Sequence, residues 1–283
     1  MALILDLQPR YNISYKEVQN REMKIRKVVI AIGILVLFHE GVRAQASSDY
    51  RLIAHRGGVV DSLTAENSLQ ALQKAVDKDY WMVEVDLRLT KDSVLITHHD
   101  RDFKRYYGMD KTLASMTWAE VRELKGDKDN RVLLFEEVLQ FCRDNNLNVM
   151  IDNKISGFDS LLFNKVYDLV KQYELDVQAL MIGTTASTPF FTGKIKLSCS
   201  RSQLEENMQK EGYHPSHYYL FSSDISAEDA QWAADNEILT VGVINAWAIK
   251  SDDPMAAARE KADQLKAAAV RVFQIDSVFD IFF

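Results

Sequence analysis

From Tyr50 onward the sequence predicts an α/β fold, a (β/α)8 barrel carrying a small insertion on its rim. Three observations point there. Short β-rich runs alternate with amphipathic helical runs to the end of the chain. About eight such units fit into the roughly 235 residues available, which suits a barrel of this kind. Charged groups recur at the ends of the predicted strands, where a parallel barrel gathers its functional side chains. Strand–helix–strand order repeated without a break makes the sheet parallel and covers it with helices.

The predicted strands are Arg51–His55, Met82–Leu87, Val94–Thr97, Asn148–Ile151, Leu180–Gly183, Ile195–Ser198, Tyr219–Phe221, Thr240–Ile244 and Val270–Ile275. Helices are predicted at Glu66–Val76, Trp118–Leu124, Phe135–Asn145, Ser160–Gln172, Ser202–Lys210, Ala227–Asp235 and Pro254–Ala268. Helical spacing is clearest in Leu69, Leu72, Ala75 and Val76, and again in Phe135, Val138, Leu139 and Cys142. Ser226 and Asp253 have the chemistry of N-caps, the latter followed by Pro254 at the first helical position. The stretch from about Arg101 to Arg131 is polar and irregular and reads as the rim insertion.

Hydrophobic residues make up 47% of the 283, enough for a sizeable core, and four prolines with eleven glycines leave no room for a long disordered linker. A net charge of −7 argues against a nucleic-acid partner, because phosphate backbones demand clustered Lys and Arg. Cys142 and Cys199 lie among apolar neighbours without a CxxC spacing, so they read as buried free thiols, with a bridge between them as the alternative.

The N-terminus divides into residues 1–22, read as sequence upstream of the true start, and 23–46, read as a secretory signal peptide. Lys24, Arg26 and Lys27 form a basic n-region before the apolar run Val28–Phe38, and Ala44 and Ala46 offer cleavage sites. The run is too short to span a bilayer comfortably. The expectation is a secreted or periplasmic protein whose barrel domain occupies 47–283, or a membrane-anchored one if the leader stays uncut.

The chemistry concentrates at strand ends. His55 ends the first strand in Ala54-His55-Arg56-Gly57-Gly58. Glu84 and Asp86 stand two apart on the second, so they share one face about 7 Å apart along the chain. Two carboxylates on one buried face repel each other and need a cation or basic partners. Oxygen donors of this kind favour Mg²⁺ or Ca²⁺; ion-paired interior carboxylates are the structural alternative. His99 follows the third predicted strand, and Asp152 and Lys154 end the next. Imidazoles at His55 and His99 suit general acid–base work near neutral pH. Arg56 and Lys154 bring positive charge suited to a phosphate held against a divalent cation. His98 faces away from His99 and reads as packing or surface, and His214 and His217, in a polar loop, read as surface. The chain has no Walker loop, GxGxxG fingerprint, GxSxG elbow or HExxH helix.

In combination these residues resemble the glycerophosphodiester phosphodiesterase family. The resemblance runs through His55-Arg56-Gly57-Gly58, Glu66-Asn67-Ser68-Leu69, Glu84-Val85-Asp86-Leu87, Thr90-Lys91-Asp92-Ser93-Val94-Leu95, His99-Asp100 and Leu134-Phe135-Glu136-Glu137-Val138-Leu139. It implies a TIM-type barrel that hydrolyses glycerophosphodiesters to glycerol 3-phosphate and an alcohol. It further implies His55 and His99 as the acid–base pair, Glu84, Asp86 and Asp152 as ligands of one divalent cation, and Arg56 and Lys154 beside the phosphate. The sequence departs from the family in three places. Asp152 stands where a glutamate is usual, though sphingomyelinase D-type relatives use aspartate. The Trp-Thr-Val-Asn run becomes Val241-Gly242-Val243-Ile244-Asn245, and the last-strand Thr-Asp-Tyr-Pro becomes Ile275-Asp276-Ser277-Val278; both changes are expected at the substrate end.

The expected partner is thus a small-molecule phosphodiester. A lysophospholipid or sphingolipid phosphodiesterase in contact with a membrane is the first alternative, for which Pro189-Phe190-Phe191 is the sequence hint. A non-catalytic phosphodiester-binding barrel is the second.

Overall fold

The computed structural model describes residues 49–127 and 130–283. The signal peptide expected at 23–46 and the residues before it lie outside them. Eight parallel strands form the centre: β1 (Arg51–Ala54), β2 (Met82–Leu89), β3 (Asn148–Asn153), β4 (Leu180–Ile182), β5 (Lys196–Cys199), β6 (Tyr218–Ser222), β7 (Leu239–Ile244) and β8 (Val272–Ile275). Each pairs with the next, and β1 pairs with both β2 and β8, so the sheet closes into a barrel. Helices α1 (Leu69–Asp77), α2 (Phe135–Asp144), α3 (Ser160–Gln172), α4 (Thr188–Phe191), α5 (Arg201–Met208), α6 (Ala227–Asp235) and α7 (Pro254–Ala267) follow the strands of the same number. A 3-10 turn, Ser277–Phe282, stands in place of an eighth helix. No helix among the described residues is long and apolar enough to cross a membrane.

Alternation along β2 shows how sequence builds the two layers. Val83, Val85 and Leu87 turn outward and pack with Val138, Leu139 and other helix residues. Met82 turns inward to a second cluster with Ile53, Met150, Leu180, Tyr219, Val241 and Val272, which plugs the lower barrel. Burying each such side chain contributes about 1.5–3 kcal/mol. The next inward positions above Met82 are Glu84 and Asp86, both buried. Helix starts are fixed by side chains, as expected at Ser226 and Asp253, which accept from the Asp229 and Ala256 N–H groups.

Three expectations need correction. Val94–Thr97 is not a barrel strand. Its ordered part, Leu95–Thr97, runs antiparallel to β2, pairing Leu87 with Thr97. The turn from Thr90 to Val94, closed by Thr90 N–H donating to the Val94 carbonyl, is far too short for a parallel crossover, which needs a dozen or more residues. The rim insertion is also more ordered than its polarity suggests. It contains the hairpin Asp102–Phe103/Met109–Thr112 and its own apolar cluster of Ile96, Phe103, Leu113, Met116, Val121 and Leu124. The predicted helix from Glu66 starts later, at Leu69, because Ser68 is its N-cap and Asn67 is held in the left-handed region at φ 49°. The one-turn helix α4 was not visible in the sequence pattern.

Candidate active site

The β1–α1 connection builds the first wall of the mouth. Beyond Ala54 the chain turns sharply: Arg56 takes φ 56° and Gly57 φ 77°. A side chain on Gly57 would stand 2.7 Å from the Asn67 Cα, and one on Gly58 2.2 Å from the Ala71 carbonyl oxygen, so both positions require glycine. This tight turn aims the Arg56 backbone N–H at Glu84 Oε2, 2.7 Å away. It leaves the Arg56 guanidinium 3.0 Å from Glu66 Oε2.

His55 is oriented from behind. Its Nδ1 lies 2.6 Å from Asp276 Oδ1, and the Ala246 N–H donates to Asp276 Oδ2 at 2.6 Å. Burial alone would raise the Asp276 carboxyl, but the bond and charge of His55 outweigh it and hold it below the ordinary carboxylate range. An ionised carboxylate only accepts, so the proton sits on Nδ1 and Nε2 faces the mouth, 3.9 Å from Glu84 Oε2. His99 is tied in the same way: Nδ1 lies 2.8 Å from Asp100 Oδ1. Burial raises Asp100, but bonds from Arg105 and His99 overcome it and hold it at about 2. His99 does not arrive on a barrel strand. The antiparallel excursion from β2 carries it back, and Arg88 fixes it by donating from Nη2 to the His99 carbonyl at 2.6 Å.

Glu84, Asp86 and Asp152 converge so that one oxygen from each lies within 4.8 Å of the others. Strand register does this, since Asp86 and Asp152 are direct neighbours across β2 and β3. Asn67 Nδ2 donates to Asp86 Oδ2 at 3.2 Å, and Lys154 Nζ reaches Asp152 Oδ2 at 2.5 Å and Asp86 Oδ1 at 3.2 Å. One ammonium against three carboxylates leaves the group underneutralised. Glu84 Oε1 is buried with no hydrogen bond, and so is Asp86 Oδ1 despite the nearby ammonium. Burial first, then the charges of Asp86 and Asp152, push Glu84 well above the ordinary carboxylate range. Three converging carboxylates, with Glu84 Oε1 and Asp86 Oδ1 lacking a hydrogen bond, fit a hard divalent cation such as Mg²⁺ or Ca²⁺. A second acidic group, Glu66, His99 and Asp100, is different: Arg105 already bonds both of its carboxylates, at 2.5 and 2.7 Å.

The structure therefore brings together His55, Arg56, Glu84, Asp86, His99, Asp152 and Lys154 at one mouth. His98 is packing, as expected: it is buried against the Phe103 ring at 5.0 Å, with Nε2 2.8 Å from the Asp102 carbonyl. His214 is exposed and bonds Ser216, and among the described residues neither it nor His217 joins a three-ligand cluster. Cys142 and Cys199 are free and buried, with burial raising their thiols to about 12 and about 11. Phe190 and Phe191 both pack on Phe163, Phe191 buried and Phe190 half-buried. Sequence reasoning missed Asp276, Asp100 and Arg105 as supports of the histidines. The altered last-strand run was expected to touch substrate, yet its Asp276 holds His55, and Gln274 beside it meets Asn245 at 3.5 Å.

A closed parallel barrel with two histidines and a carboxylate cluster at its C-terminal mouth defines a TIM-barrel scaffold with its candidate site where that fold carries active sites. The chain belongs to the glycerophosphoryl diester phosphodiesterase family, which it matches over residues 55–269. It is 32% identical over 134 residues to human lysophospholipase D GDPD1, covering 43% of this chain and 41% of that one. It is 31% identical over 111 residues to mouse glycerophosphodiester phosphodiesterase 1, covering 36% and 33%. The chain thus spans less than half the length of these curated relatives. Among solved structures, a glycerophosphoryl diester phosphodiesterase from Parabacteroides distasonis superposes with a TM-score of 0.64 at 18% identity, covering 81% of this chain and 84% of that one. A phosphodiesterase from Oleispira antarctica, solved with the product sn-glycerol-3-phosphate, gives 0.63 at 15% identity, covering 82% and 96%. Both show the shared fold.

Proposed function

We propose that this mouth hydrolyses a glycerophosphodiester to glycerol 3-phosphate and an alcohol, using one divalent cation and the two histidines. The observation that carries the reading is the buried carboxylate group with unsatisfied oxygens at Glu84 and Asp86, set against a His55 Nε2 left free to exchange a proton. Glu84, Asp86 and Asp152 would hold the cation, which when bound neutralises the phosphodiester and stabilises charge building on its oxygens.

The chain's own groups do the rest. With Nδ1 tied to carboxylates, His55 and His99 each present Nε2 to the reacting atoms. One removes the proton from the nucleophile, water or the neighbouring glycerol hydroxyl, and the other protonates the departing alcohol oxygen. Arg56, braced by Glu66, and Lys154, above Asp86 and Asp152, supply fixed positive charge for the remaining phosphate oxygens. The relatives named lysophospholipase D support a lysophospholipid as one form of the same substrate class.

The test is turnover of glycerophosphocholine by the purified chain after chelator treatment. The reading expects glycerol 3-phosphate release to vanish and to return with Mg²⁺ or Ca²⁺. Undiminished hydrolysis after chelation would remove the cation from the reaction.

A further inference from the structure

We infer that Arg105 is a positioning residue that sets the phosphate-binding Arg56 and the acid–base His99 together, which makes the rim insertion a working part of the mouth. The inference rests on the phosphodiesterase reading above. One guanidinium here uses all five of its N–H donors. Nε and Nη2 fork onto Asp100, at 2.7 Å to Oδ2 and 3.0 Å to Oδ1. Nη2 and Nη1 fork onto Glu66, at 2.5 Å to Oε1 and 3.3 Å to Oε2. Nη1 also donates to the Tyr106 hydroxyl at 3.1 Å. Each carboxylate has a second partner in the site. Glu66 Oε2 accepts from Arg56 Nη1 at 3.0 Å, and Asp100 Oδ1 lies 2.8 Å from His99 Nδ1. A continuous chain, Arg56–Glu66–Arg105–Asp100–His99, thus joins the β1–α1 connection to the segment that carries His99.

The insertion holds this side chain in place. Arg105 lies on the one-turn helix Lys104–Tyr107, closed by Gly108 at φ 63°, whose N–H donates to the Lys104 carbonyl. Phe103 on one side of it is fully buried in the insertion's apolar cluster. Tyr107 on the other side packs against the same cluster, its ring 6.0 Å from that of Phe103. An ion pair between two exposed, mobile side chains contributes little. Here Glu66 is buried and the turn is anchored on both sides of Arg105, so the fork is fixed and orients what it bonds. Without Arg105, Glu66 is left to Arg56 and draws that guanidinium away from a bound phosphate. Asp100 at the same time loses the fork that fixes it, and its hold on the His99 imidazole loosens. A lysine keeps the charge but has no planar fork for two carboxylates.

The experiment is a mutant cycle on the full chain, read as kcat and KM for soluble glycerophosphocholine with Mg²⁺ or Ca²⁺ present. Arg105→Ala should lower kcat by roughly tenfold or more, since misplacing a reacting group by about 1 Å can cost about 10². It should also raise KM severalfold, through Arg56. On the His99→Ala background the same substitution should lower kcat by less than about twofold further, because a residue acting through His99 has nothing left to orient. The rise in KM should persist there. Arg105→Lys should behave nearly as Arg105→Ala does, and it carries the same cycle if the alanine protein does not fold. Unchanged kcat or KM in Arg105→Ala, or wild-type kinetics in Arg105→Lys, overturns the inference. A slow His99→Ala protein on which the Arg105 loss in kcat persists in full contradicts the inference alone, by making Arg105 a structural residue. Wild-type turnover in His99→Ala, or none in the unaltered chain, removes the phosphodiesterase reading and the inference with it.

Discussion

Asp152 on β3 is paired directly with Ile182 on β4, and that junction separates two differently built sides of the barrel. On one side, β1, β2 and β3 place His55, Glu84, Asp86, Asp152 and Lys154 at the mouth. On the other, β4 and β6 bring Ile182 and Phe221 against the apolar plug, with Leu180 and Tyr219 below them. The charged side is assembled against local preference. Arg56 and Asn67 take left-handed backbone conformations, and Arg56 Nε, Asn67 Oδ1, Glu84 Oε1 and Asp86 Oδ1 are buried without hydrogen bonds. Such costs persist only where surrounding structure imposes them, and they gather at functional sites. Here the Arg56 and Gly57 N–H groups donate to Glu84, and the Asn67 N–H donates to the Arg56 carbonyl. Asp276 on the β8 end is where the scaffold reaches across, clamping His55 with help from the Ala246 N–H.

This division can be broken from the charged side first. His55→Ala and His99→Ala should each lower kcat by about 10² or more, the usual scale for losing a general acid or base. Unfolding midpoints should hardly move. Asp276→Asn should fall between these and wild type, because an amide can donate to Nδ1 and move the proton to Nε2. His98→Ala should leave kcat nearly unchanged, and near-normal kcat in either of the other two histidine variants would remove that residue from the chemistry. The apolar side makes the opposite prediction. Leu180→Ala should cost about 2–5 kcal/mol in denaturant unfolding while sparing kcat in the surviving folded protein. A kcat loss at Leu180 as large as at His55 would erase the distinction between site and scaffold.

The charged side was also the legible one. Glu84-Val85-Asp86 inside an apolar strand contradicts its surroundings, so a single sequence exposes it. His55 next to Gly57-Gly58 does the same, because the glycines mark a turn that nothing else would require. The strands and most helices were readable from alternation and helical spacing, since periodicity reports which face is buried. What stayed hidden depends on long-range contact. Asp276 meets His55 across 221 positions, and Arg105 meets Glu66 across 39, distances over which sequence carries no local signal. The direction of Leu95–Thr97 was readable in principle from the few residues separating it from β2, but a β-rich run alone says nothing of direction.

The central claim is that Glu84, Asp86 and Asp152 hold one divalent cation, and calorimetric titration of Mg²⁺ and Ca²⁺ into the protein tests it most directly. The raised Glu84 carboxyl sets the sign of the pH dependence. Below its pKa the folded site keeps a proton that a cation must displace, so affinity should rise as pH is raised through that range. Without a cation, the same shift makes the folded state lose stability as pH climbs from the ordinary glutamate range through the raised one. The account predicts one ion per chain, tighter at higher pH, weakened about tenfold or more by Asp152→Asn and unchanged by Asp61→Asn, whose carboxylate pairs with Lys74 instead. No binding at any pH, or binding indifferent to Asp152, would contradict it.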